Sequence, residues 1–228
     1  MLDILAQFGV LFLIGGYPQG PMGGLAGTVI LSALSLALAF PLAVGLGIMR
    51  TSVQRRWRWP ATAWVFTLRG TPLLMIIFWA YFAVPLLVGK QVSPFTTAVC
   101  AIVIYESAFL AEVVRAGLQA VTRGQMEAAR STGLTYLQAM RHVLVPQALT
   151  SMLPSLVNQF VSVIKATSLA YVIGVPEVTL AAQQVNSMVL TRPMQVFLIL
   201  AALYFLLCFT LSRLADALER HLTRRRAP

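Results

Sequence analysis

From Glu127 to Pro146 the chain reads EAARSTGLTYLQAMRHVLVP, and this stretch lies between two long apolar segments. Glu127, Ala128 and Ala129 favour helix. Gly133 can close that helix in the left-handed conformation that side chains resist. Thr135 can then cap a second helix, with Gln138 three residues on to complete a capping box. The second helix is predicted to run to about Val143 and to end at Pro146. Two short helices bent at Gly133 are therefore expected, in a loop of about 121–146 that either simply joins two spans or presents a short helix to a soluble partner.

The segments on either side set the fold class. Of 228 residues, 58% are hydrophobic and only 11% charged. A soluble domain carries roughly 25% charged and 45–50% apolar residues, so lipid must solvate part of this surface. A bilayer core needs about 20 apolar residues in a helix. Five stretches qualify: about Met22–Met49, Pro60–Leu87, Phe95–Ala120, Ala148–Ile173 and Met194–Leu218. Ile4–Ile14 is too short to span and fits the interface. The expectation is an all-α integral membrane protein, a single domain over residues 1–228. The N-terminus lacks a positive leader region, so no cleaved signal peptide is expected.

Arginine and lysine set the orientation. Thirteen of them (Arg50, Arg55, Arg56, Arg58, Arg115, Arg123, Arg130, Arg141, Arg213, Arg220, Arg224, Arg225 and Arg226) fall on one side of the spans. Only Lys90 and Arg192 fall on the other, with Arg69 and Lys165 left inside apolar segments. The N-terminus is thus predicted outside, and the C-terminus and the Glu127 loop in the cytoplasm. Trp57, Trp59 and Trp64 suit the aromatic belt of that face. The net charge of +10 is explained by this topology, and nucleic-acid binding is not invoked.

Several chemistries are excluded. No phosphate loop occurs, because Gly89-Lys90-Gln91 lacks the upstream glycine. Cys100 and Cys208 stand apart in apolar runs and form no metal or redox pair. His142 and His221 read as solvated or interfacial, and no Ser/His/Asp set is visible. No catalytic residue, metal or cofactor is expected. A self-contained secondary transporter usually shows internal repeats, and none is visible.

The spacing Glu-Ala-Ala, three residues, Gly133, nine residues, Val143-Leu-Val-Pro146 resembles the coupling motif of permease subunits in binding-protein-dependent ABC importers. Val143 and Val145 stand where that family usually has Ile and Leu. Arg69-Gly-Thr-Pro-Leu-Leu, Ala111-Glu-Val-Val-Arg-Ala-Gly, Arg123-Gly-Gln, Pro146-Gln-Ala and Lys165-Ala-Thr-Ser-Leu are similar to the polar amino acid subfamily, which includes histidine, arginine, glutamine and glutamate permeases. The resemblance implies the type I importer permease fold in a bacterial inner membrane. It also implies ATPase subunits that bind ATP, a second permease (the same chain or a related one), and a periplasmic or extracellular solute-binding protein. Glu127, Ala128, Ala129, Gly133 and Pro146 become the ATPase-coupling residues. Residues 1–20 match no motif.

Ionisable groups inside spans mark functional sites by default. Glu106 falls near the middle of the third span, where it can accept a substrate ammonium or simply bond a neighbouring helix. Glu112 and Arg115 are three apart and are expected to pair. Arg69 precedes the helix-breaking Gly-Thr-Pro and marks a bend, with a structural role set against one in the substrate pathway or gate. Asn158, Gln159, Ser162 and Lys165 form a polar stripe in the fourth span. Such a stripe faces protein or water and makes Asn158, Ser162, Lys165 and Thr167 candidates for a substrate pathway; Lys165, Thr167 and Ser168 could bind a carboxylate, the alternative being a structural role. Gln183 and Asn186 read as a solvated outer loop, the alternative being a contact with a binding protein.

Overall fold

The computed structural model describes residues 1–90, 92–121 and 123–224. Gln91, Thr122 and the tail with Arg225 and Arg226 lie outside the described residues. Helices account for nearly all of the described chain. They are α1 (Leu2–Ile14), α2 (Gly24–Thr51), α3 (Arg55–Arg69), α4 (Leu73–Phe78), α5 (Val84–Val88), α6 (Pro94–Ala120), α7 (Arg123–Ser131), α8 (Tyr136–Ala139), α9 (Val145–Thr167), α10 (Val178–Val189) and α11 (Pro193–Arg224).

Four helical segments are long and apolar enough to cross a membrane: Gly24–Thr51, Pro94–Ala120, Met140–Ile173 and Pro193–Ala217. The expected second span is not one helix. Arg55–Arg69 and Leu73–Leu87 meet at 100°. Gly70 ends α3, and Pro72, with no N–H to donate, starts α4 from an extended conformation. Val65 of α3 shares an apolar cluster with Ala39, Ala43, Ala108 and Ala111, toward the end that holds Arg50 and Arg115. Leu73 and Ile77 of α4 join Leu31, Ala98 and Ile102 toward the opposite end. The chain thus runs along the bundle in two legs, with Arg69 at the break.

Two prolines are accommodated in the same way. The turns Trp79–Ala83 and Met140–Leu144 are π-helical, and each is followed by Val-Pro. Val84 N–H donates to Trp79 O, and Val145 N–H donates to Met140 O. The wider turn relieves the clash between a proline ring and the preceding carbonyls. Pro146 therefore does not end the second short helix, as the sequence suggested. The helix runs on from Tyr136 through the π turn into α9, and a 3₁₀ turn, Ser168–Ile173, completes it.

The core is built on α2 and α6, with α9 against α6. Their buried contacts are mostly small, including Thr28, Ser32, Ser35, Ala39 and Ala43 on α2. Small side chains let helices approach closely where lipid supplies no hydrophobic drive between them. At Gly27 the approach is tightest to the loop before α10. A methyl there would lie 2.2 Å from the Pro176 carbonyl oxygen.

The expected outer loop of Gln183 and Asn186 is in fact α10. Val178, Ala181, Ala182 and Val185 form its buried stripe. Glu177 caps it, accepting from the Thr179 and Leu180 N–H groups at 2.8 Å each. Tyr204 O–H of α11 donates to the same carboxylate at 3.1 Å, and Val178 N–H donates to Thr28 Oγ1 of α2 at 3.2 Å. Burial pushes the Glu177 carboxyl above its usual range, against the opposing pull of these hydrogen bonds. α1 packs Ile4 and Phe12 into the same apolar cluster as α10 and α11.

Candidate functional site: coupling loop and polar stripe

The loop forms as its residues dictate. α7 ends at Ser131, and Gly133 takes φ +89° with its N–H donating to Arg130 O at 3.0 Å. The capping box closes reciprocally: Thr135 N–H donates to Gln138 Oε1 at 2.9 Å, and Gln138 N–H donates to Thr135 Oγ1 at 3.4 Å. The Gln147 Nε2 amide donates to Gln125 Oε1 at 3.3 Å and ties α7 to the start of α9.

These bonds decide which groups face outward. Glu127, Ala128, Arg130 and Gly133 are exposed, whereas Ala129 is buried against the loop. No atom lies within 4 Å of where a Gly133 side chain would begin. The outward surface is thus small at Ala128 and Gly133 and charged at Glu127 and Arg130. Ala129 anchors the helix from behind, and Pro146 belongs to the joint with α9.

Along α9, Ser151, Ser155, Asn158, Ser162 and Lys165 recur at spacings of four and three, on one helix face. All five are exposed. The side chains of Asn158, Ser162 and Lys165 make no hydrogen bond or ion pair among the described residues. Gln159 points elsewhere: its Nε2 donates to Glu106 Oε2 on α6 at 2.5 Å. Glu106 is 1% exposed, so it sits behind the stripe. Thr167 is also buried, its hydroxyl donating to Ile164 O at 2.7 Å. An adjacent hollow lined by Leu36, Phe40, Leu110, Leu156 and Phe160 is wholly apolar and offers a zwitterion no partner.

A charge cluster joins α2, α3 and α6. Glu112 accepts from Arg115 Nε at 3.0 Å, as the i,i+3 spacing predicts. It also pairs with Arg50 of α2, and Arg69 Nη1 stands 4.0 Å away. The Arg69 guanidinium lies over the Phe109 ring, 5.5 Å from its centroid. Sequence reading found the Glu112–Arg115 pair but not its long-range members. It also missed Glu177, although an acidic residue after Pro176 and before an i,i+3,i+4 apolar stripe is a helix-start signal.

A family model described as "Binding-protein-dependent transport system inner membrane component" matches residues 39–224. A probable glutamine ABC transporter permease protein of Bacillus subtilis (strain 168) is 39% identical over 201 residues, spanning 88% of this chain and 92% of that protein. The L-cystine transport system permease protein of the same organism is 34% identical over 202 residues, spanning 89% and 86%. A crystal structure of an amino acid ABC transporter with histidines matches with a TM-score of 0.80 at 36% identity, over 87% of this chain and 92% of that one. The chain belongs to the binding-protein-dependent transport system inner membrane components and is a multi-pass ABC importer permease, not an enzyme.

Proposed function

We propose that this permease passes a polar amino acid along the exposed stripe of α9, and that α7 docks on a separate ATPase subunit. The observation that carries the reading is the stripe itself. Polar groups facing lipid are costly, and those inside spans face protein or a water-filled path. A second permease covering this face would leave the path between the two chains. Lys165 and the amide of Asn158 supply donors for a carboxylate, and the oxygens of Asn158 and Ser162 can accept from an ammonium. Glu106 holds Gln159 in the resting arrangement and would meet substrate only if the α6–α9 contact opens. Arg69, within the Glu112 cluster, acts at the arginine-rich end as a gate.

α7 supports the coupling role because its exposed surface is small, capped and firmly fixed to α9. Glu127, Ala128 and Gly133 enter a groove of the ATPase, Ala129 holds the helix in place, and Pro146 forms the joint. ATP is bound by that partner, and an external solute-binding protein delivers the amino acid. The relatives named above support an amino acid as cargo.

The test has two arms. The permease should copurify with an ATPase, and uptake should need that ATPase, nucleotide and the binding protein. Labelled amino acids offered to the cognate binding protein should identify the cargo. Uptake without any ATPase would overturn the coupling reading. Binding of a non-amino-acid solute alone would overturn the cargo reading.

A further inference from the structure

The arginines at the Arg50 end of the bundle divide into two groups. Arg50, Arg69 and Arg115 converge on Glu112. Arg55, Arg56 and Arg58 open α3 with no carboxylate in reach: among the described residues none forms an ion pair with them, and the first turn of α3 holds no acidic residue. Arg56 bonds only Gln54 Oε1, at 3.0 Å, and lies 5.6 Å from the Trp57 ring centroid.

The same helix carries exposed aromatics. Trp57, Trp59 (67% exposed) and Phe66 (79% exposed) project from it, while Ala61 and Val65 face the bundle and Trp64 Nε1 donates to Ser107 Oγ of α6 at 3.3 Å. At 100° per residue, Arg55, Arg56, Trp59, Ala63 and Phe66 share the outward side. Positive charge at one end therefore grades into apolar surface along one face. A soluble acidic protein would satisfy the arginines but leave Trp59 and Phe66 uncovered. A phospholipid matches both, its phosphate at the arginines and its chains along the rings.

We propose that the outward face of α3 is a binding site for anionic phospholipid of the cytoplasmic leaflet. The site rests on the orientation given by the arginine distribution and is independent of which solute is carried. Arg55 and Arg56 on this face, with Arg58 exposed at the same end of the helix, select an anionic headgroup over a zwitterionic one. The tryptophans hold it at interface depth.

The test uses the whole permease–ATPase complex in nanodiscs of phosphatidylcholine with a minor fraction of phosphatidylglycerol. Native mass spectrometry counts the phosphatidylglycerol retained after delipidation. The wild type should retain it selectively. Arg55→Gln, Arg56→Gln and Arg58→Gln should each lower the preference about fivefold, and the triple variant should abolish it. Arg213→Gln, at the same end but on α11, should leave it nearly unchanged. The single variants remove one positive charge of thirteen and keep insertion intact. If the triple variant fails to insert, the singles and a triple lysine variant, expected to retain the lipid, carry the result.

Equal retention by the wild type and the single variants would overturn the site. So would loss of the ATPase from the Arg→Gln variants at unchanged lipid retention, which would make this surface a protein contact. An outside location for α3, read by cysteine labelling at Val53, would sink the orientation separately from the lipid preference.

Discussion

At the scale of single residues, Lys165 and Glu106 carry the sharpest contrast. Both are charged residues in apolar helices, yet Lys165 is exposed with no hydrogen bond or ion pair among the described residues, whereas Glu106 is buried and bonded. Charge-assisted hydrogen bonds contribute about 1.5–3 kcal/mol. Lys165→Met should therefore cut uptake at least roughly tenfold while the yield of purified complex stays near wild type. Glu106→Gln keeps the size and a hydrogen bond to Gln159, so its uptake should fall less than that of Lys165→Met. Measuring uptake and yield for both decides the matter. A collapse of Glu106→Gln uptake with normal Lys165→Met uptake would move the path behind the stripe. The residue types of this site were legible in the sequence because polar groups stand out in an apolar run. Which of them faced outward was not, since Gln159 and Thr167 lie within two residues of exposed members and differ only in helical phase. Glu112 shows the same limit. Its i,i+3 partner is written in the chain, whereas Arg50 comes from a helix 62 residues away.

At the scale of elements, Gly133 separates geometry from docking. Its φ of +89° costs most side chains on the order of 1–3 kcal/mol, but Asn and Asp tolerate this region. Gly133→Asn and Gly133→Asp are close in size and differ in charge. Both should insert and copurify as membrane protein. Asp should abolish transport by placing a carboxylate in the groove, and Asn should retain a measurable fraction. Equal loss in uptake assays would point to strain in the turn and not to docking. Gly27→Ala tests packing. Its methyl would press on the Pro176 carbonyl oxygen, and overpacking typically costs about 1–3 kcal/mol. The purified complex should melt at lower temperature, whereas Gly45→Ala, with nothing within 4 Å, should not lower it. The turn at Gly133 and the Thr135–Gln138 box were readable because local chemistry fixes them, whereas the helix after Thr135 was read as ending at Pro146 and in fact runs on into α9. The 100° break at Gly70–Pro72 was readable as a bend but not as an angle, because the angle depends on where α2 and α6 receive each leg.

At the scale of the whole molecule, the distribution of arginine makes a claim on topology. A tag beyond Arg226 should be inaccessible from outside intact cells, and a tag before Asp3 should be accessible. The reverse pattern, read by protease protection or labelling, would place α7 outside and remove it from any ATPase. Membrane class followed from composition, since no soluble core of this size holds so much apolar surface. The proposed path between chains could not be seen in the same way, because it would belong to a surface that a single chain leaves open.

From Tyr136 to Ile173 the backbone stays helical without a break, through one π turn. Mechanically that makes a lever of about 44 Å from Tyr136 to Lys165, at 1.5 Å per residue. A push on the loop at one end must arrive at the stripe as rotation or translation, because no coil between them can absorb it. The compliant point is the π turn at Met140–Leu144, whose spare residue is a dislocation in an otherwise regular rod. Stiffness and slack are set within five residues, directly beside the joint to which Gln125 of α7 is tied.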